Sequence, residues 1–145
     1  MNTIVLREIG IAVSFGLTVI CSCVGAYIVG SAAIGAWKKC FQQNKPASFL
    51  LVAFAGQPLS NIIYSYITMN SLAASAALSA TQIFLAGITA GIGIGGAAIV
   101  QCYCGACASD AMAETGQGFG NYIMVIGVCE TIALFVMVFT MMFAG

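Results

Sequence analysis

Residues 119–143 read FGNYIMVIGVCETIALFVMVFTMMF, a 25-residue run whose single charged side chain is Glu130. About 20 predominantly apolar residues suffice for a helix to cross the hydrocarbon core of a bilayer. The run is too long, and lacks the apolar–polar alternation, for a barrel strand. Backbone in lipid must satisfy its own hydrogen bonds, so a transmembrane helix is expected. Three more apolar runs lie upstream, at about residues 82–108, 47–69 and 9–37. The four runs occupy most of residues 1–145 and leave no room for a soluble lobe. The expected fold is a single all-α membrane domain with four transmembrane helices.

Composition supports this. Of 145 residues, 61% are hydrophobic and 6% charged, with no histidine and a formal net charge of zero; mean hydropathy is +1.07. So few charges cannot clothe a soluble domain of this length, and such hydrophobicity is incompatible with disorder. Binding to nucleic acid is excluded, because only Arg7, Lys38, Lys39 and Lys45 are available to meet phosphates. Histidine chemistry is impossible. The glycine-rich GIGIGG at 91–96 lies inside an apolar helix rather than after a strand, so it is no nucleotide loop. No catalytic site and no bound cofactor are expected in this chain. The first apolar run exceeds a signal-peptide core and is read as retained.

The connections, residues 38–46, 70–81 and 109–118, are short, which makes successive helices antiparallel neighbours. Three of the four basic residues fall in the first connection. The positive-inside rule therefore places 38–46 and 109–118 in the cytoplasm and both termini outside.

The halves of the chain echo each other. VAFAGQPL at 52–59 slides onto VIGVCETI at 125–132 with an offset of 73, which sets Gln57 over Glu130. The first and third runs are rich in small residues, whereas the second and fourth carry bulky ones, as in two tandem helical hairpins. Gly10, Ser14, Thr18, Ser22, Ala26 and Gly30 recur every four residues in the first run, as do Gly87, Gly91 and Gly95 in the third. Lipid gives helices no hydrophobic drive to associate, so small side chains that admit close approach point to crowded packing, as on the inner wall of a tight ring.

Glu130 is the one carboxylate at mid-membrane depth. Its placement there costs roughly 2.5–3.5 kcal/mol on insertion scales, and groups so placed mark ion or proton paths. No Lys or Arg lies in any span to neutralise it, so the carboxyl is either protonated or holds a cation. The plainer alternative is a protonated Glu130 making one interhelical hydrogen bond. In the second run Gln57, Ser60, Asn61 and Tyr64 fall at i, i+3, i+4 and i+7 on one face. Pro58 within that stripe removes the donor for the Phe54 carbonyl, leaving an oxygen either for a hard cation or simply at a kink. Counted from Thr115, Gln101 is 14 residues back and Glu130 is 15 forward, and counted from Gln43, Pro58 is 15 forward. Helices rise about 1.5 Å per residue, so these groups share one depth.

Glu130 within VCETIALF, Gln101 at matching depth and PLSNIIY at 58–64 together resemble the membrane-rotor proteolipid, also called the c or K subunit, of V-type and A-type rotary ATPases. The resemblance spans the whole chain. It implies a homo-oligomeric ring in which Glu130 carries H+ or Na+, facing a stator membrane protein that supplies an Arg, with central-stalk subunits at the cytoplasmic connections. It implies an ion-binding set of Glu130, Gln101, Ser60, Asn61 and Tyr64, with Gln57 adding a polar group. Sodium, if carried, would be held by Glu130, Gln101, Ser60 and Asn61. Ser60 keeps the hydroxyl of the Thr found in sodium-carrying members, and Asn61 is one methylene shorter than their Gln. The implied location is a bacterial or archaeal plasma membrane, and the implied role is a non-catalytic part of an ion-driven motor.

Two rival expectations stand beside it. One is a four-helix proton-coupled multidrug antiporter, which carries its Glu in the first helix and lines its pocket with aromatics. The other is a non-transporting scaffold. Cys21, Cys23, Cys102, Cys104 and Cys107 fall in spans and read as small apolar packing residues, with zinc binding or a disulfide as the alternative. Trp37 beside Lys38 and Lys39 reads as an interfacial anchor, and the Phe and Met residues of 135–143 face lipid or a neighbour.

Overall fold

The Asn2 side chain accepts the Ile4 N–H at 3.3 Å and starts α1, Thr3–Gln42. The structure is a computed structural model that describes residues 2–145. After α1 the chain reverses through Asn44, at φ 52, and the Trp37 indole N–H donates to the Ser48 carbonyl at 2.8 Å. Helix α2, Leu51–Gly56, is followed after Gln57 by α3, Pro58–Ala74. Ser79 and Gln82 cap each other's backbone N–H groups at the start of α4, Ala80–Thr115. Gly116 and Gly118 both take positive φ, 67° and 88°, and turn the chain into α5, Phe119–Ala144. There are no strands among the described residues.

Helices α1, α4 and α5 are each long and apolar enough to cross a membrane. With α2 and α3 as a broken fourth crossing, the architecture fits an all-helical integral membrane protein. Several ends differ from the sequence expectation. Lys38–Gln42, Asn70–Ala74 and Ser109–Thr115, expected in connections, are helical. A helix need not stop where lipid gives way to water, because its backbone is already satisfied. At that end Lys39 Nζ reaches Glu114 at 2.6 Å and Asp110 at 3.5 Å, joining α1 to α4.

The most extensive pairing is α1 with α4. The two run parallel: Thr18 Oγ1 donates to the Gly91 carbonyl at 3.4 Å and Cys40 Sγ approaches the Ala113 carbonyl at 3.9 Å. Both pairs are 73 residues apart, which is the offset of the sequence repeat. Helix α3 packs on α1, α4 and α5, while α5 packs on α4 and α3.

The buried stripe of α1 is Gly10, Ser14, Thr18, Ser22, Gly25, Val29, Ala33, Ala36 and Cys40. The expected continuation through Ala26 and Gly30 is therefore corrected. Four residues turn a helix by about 400°, so a strict four-residue step drifts off the face until a three-residue step restores it. Gly30 would meet nothing within 4 Å even with a side chain. Gly87 is the opposite case: a Cβ there would land on the backbone carbonyl of Gly10. Gly91 and Gly95 face Val13, Leu17, Thr18 and Cys21 at close range.

Candidate ion-binding site

The interruption at Gln57 sets the site. With no N–H on Pro58, the helix cannot continue its regular ladder, and the Gln57 N–H turns to the Phe54 carbonyl at 3.4 Å. That carbonyl is thus occupied rather than free for a cation, which favours the kink over the ligand role. Ser60 Oγ donates to the Gln57 carbonyl at 2.9 Å, so this hydroxyl also closes the break in its own helix.

The Gln57 side chain reaches α4. Gln101, fully buried, donates from Nε2 to Gln57 Oε1 at 3.3 Å and accepts from Asn61 Nδ2 at 2.6 Å. Asn61 is also fully buried, and its Oδ1 has no hydrogen-bond partner among the described residues. Buried polar atoms are nearly always partnered, so this oxygen is an acceptor held ready at the centre of the bundle.

Glu130 lies one face away. Tyr64 Oη donates to Glu130 Oε1 at 2.8 Å, bridging α3 and α5. The tyrosine ring packs against the small cluster of Ile94, Ala97 and Ala133. Glu130 is half-buried, flanked by exposed Val128 and Ile132. The next hydroxyl, Thr131 Oγ1, turns back to the Val128 carbonyl at 2.7 Å. Among the described residues the salt bridges are those of Lys39 alone, and none involves Glu130.

All six expected residues therefore sit where α3, α4 and α5 meet, but in two groups. Gln57, Asn61 and Gln101 bond to one another, with Ser60 on the Gln57 backbone; Tyr64 and Glu130 form a separate pair. Chemically, the pair is a carboxyl that can exchange a proton or small cation while one hydroxyl donates a hydrogen bond to it. The sequence reading missed Cys129, the neighbour of Glu130. Its Sγ lies 3.8 Å from Cys104 Sγ across α4 and α5; counting depth from Thr115 sets Cys104 11 residues back and Cys129 14 forward, so spacing alone does not pair them.

Residues 84–143 match the family model of the ATP synthase C subunit. The matched stretch runs from the first turns of α4 to the end of α5. It includes Gln101 and Glu130 and leaves out α1 to α3. No curated protein matches the chain. The match covers under half of the chain; over that stretch the chain is similar to the ATP synthase c subunit, and the match does not favour the antiporter.

Proposed function

We propose that this chain is the rotor-ring proteolipid of the membrane sector of a V-type rotary ATPase and carries H+ or Na+ on Glu130. The observation that carries the reading is the Tyr64–Glu130 pair: a carboxyl deep in an apolar helix, held by one hydroxyl at 2.8 Å, with no basic partner among the described residues. Protonated or cation-bound, Glu130 is neutral and can turn through lipid. Emptied, it is an anion that needs a positive group from outside the chain, the role of an Arg on the stator. Each ion crossing 100 mV exchanges about 2.3 kcal/mol, which rotation couples to ATP chemistry elsewhere. Four crossings with a single acidic residue at depth favour the V-type over a two-helix form. Sodium binding would use Glu130, Gln101, Ser60 and Asn61, and would require Gln101 Oε1 to leave the Asn61 amide. The connections at 38–46 and 109–118 then meet the central stalk on the cytoplasmic side of a bacterial or archaeal plasma membrane.

A hydrophobic carbodiimide on the purified protein tests this. Labelling at Glu130, absent in Glu130→Gln, on a particle of ring size is expected. Protection by sodium at fixed pH identifies a sodium carrier, and protection only by raised pH a proton carrier. An unreactive Glu130 in a dimer would sink the rotor assignment.

A further inference from the structure

We propose that Cys104 and Cys129 form a reversible disulfide that welds α4 to α5 beside Glu130 and brakes ion exchange. The two sulfurs are 3.8 Å apart on neighbouring helices and both are reduced and half-buried. Closing to a bond of about 2.05 Å needs a shift of under 2 Å. Cys104 also lines an apolar cleft of about 360 Å³, together with Tyr103, Cys107, Tyr122 and Val125, which gives a small uncharged oxidant room to reach it. The oxidant class is a membrane-permeant peroxide. One sulfur attacks the O–O bond, becoming a sulfenic acid and releasing one water. The second sulfur displaces the hydroxyl, forming the S–S bond and a second water. Two thiols lose two electrons and two protons, and the peroxide is reduced to two waters. A thiol or phosphine reductant reverses the step.

The consequence follows from position. Cys129 precedes Glu130 on α5, whereas the partner of Glu130, Tyr64, is on α3. Successive residues are about 100° apart on a helix, so any turn of α5 that frees Glu130 from Tyr64 also swings Cys129 away from Cys104. A bond between the sulfurs forbids that turn. The brake rests on the proposed role of Glu130, but the bond itself does not.

The test uses the full chain, oxidised with hydrogen peroxide and digested without reduction by a Glu-specific protease. Cleavage at Glu114 and Glu130 separates Cys104 from Cys129. Peptides 9–114 and 115–130 are expected to stay joined through these two cysteines. The link should vanish in Cys104→Ala and in Cys129→Ala and persist in Cys107→Ala. Carbodiimide labelling of Glu130 should fall at least tenfold on oxidation and recover with a phosphine. Unlinked peptides at saturating peroxide overturn the disulfide, and linked peptides with unchanged labelling overturn the brake. A Glu130 that never labels in the reduced protein counts instead against the rotor assignment, while the linkage remains readable.

Discussion

The contact between Gly10 and Gly87 makes a sharp quantitative prediction for Gly87→Ala. The added methyl would fall on the Gly10 carbonyl, a backbone group with no rotamer by which to yield. Relief requires the axes of α1 and α4 to separate, and overpacking of this sort costs about 1–3 kcal/mol. Alanine returns at most about 1 kcal/mol of helix propensity over glycine. Gly96, on the same helix, is a matched control, because a Cβ there meets nothing within 4 Å. Gly96→Ala should therefore be neutral or stabilising by up to about 1 kcal/mol. The two variants should differ by roughly 2 kcal/mol, close to thirtyfold in the unfolding constant at tenfold per 1.4 kcal/mol. Titration from mild detergent into dodecyl sulfate, followed by circular dichroism, reads this directly. If Gly87→Ala proves as stable as Gly96→Ala, α1 and α4 do not meet backbone to backbone.

Two further variants probe the polar groups. Gln101→Leu strands the Asn61 amide and the Gln57 side-chain carbonyl, each an unsatisfied group costing about 1–3 kcal/mol, and should lower the midpoint of the same titration; an unshifted midpoint would show that the amides do not depend on Gln101. Tyr64→Phe removes a hydrogen bond that, to a charged acceptor, is worth about 1.5–3 kcal/mol. The carboxyl is then no longer tied to α3, so carbodiimide should label Glu130 severalfold faster at neutral pH. A rate equal to that of the parent would show that Tyr64 does not restrain the carboxyl.

The fourth span was nearly complete in the sequence, expected at 119–143 and found at 119–144, because hydropathy and the glycines before it change together. The end of the third was not, since Asp110 and Glu114 read as loop while the helix runs on to Thr115, where Gly116 in the left-handed conformation stops it. Gly116 was the better signal. Counting residues set Gln101 level with the stretch around Pro58, where Gln57 and Asn61 now bond to it, because the rise per residue is fixed. It could not give rotation about each axis. That rotation turns Gln101 toward Asn61 and Gln57, and leaves Glu130 to Tyr64. The drift of the small-residue stripe from Ala26 to Gly25 has the same origin: spacing in sequence is an integer, and the turn of a helix is not.

The parallel alignment of α1 and α4 at an offset of 73 makes Gln57 the counterpart of Glu130. An amide has no proton to exchange at working pH, so in the proposed rotor the first hairpin would contribute bulk but no cargo. A wheel built from this chain would move one ion for every four helices that pass the stator. That is a low gear: fewer ions per revolution, and so less stored energy available per turn when running downhill, but a larger gradient attainable for a given ATP expenditure when driven uphill.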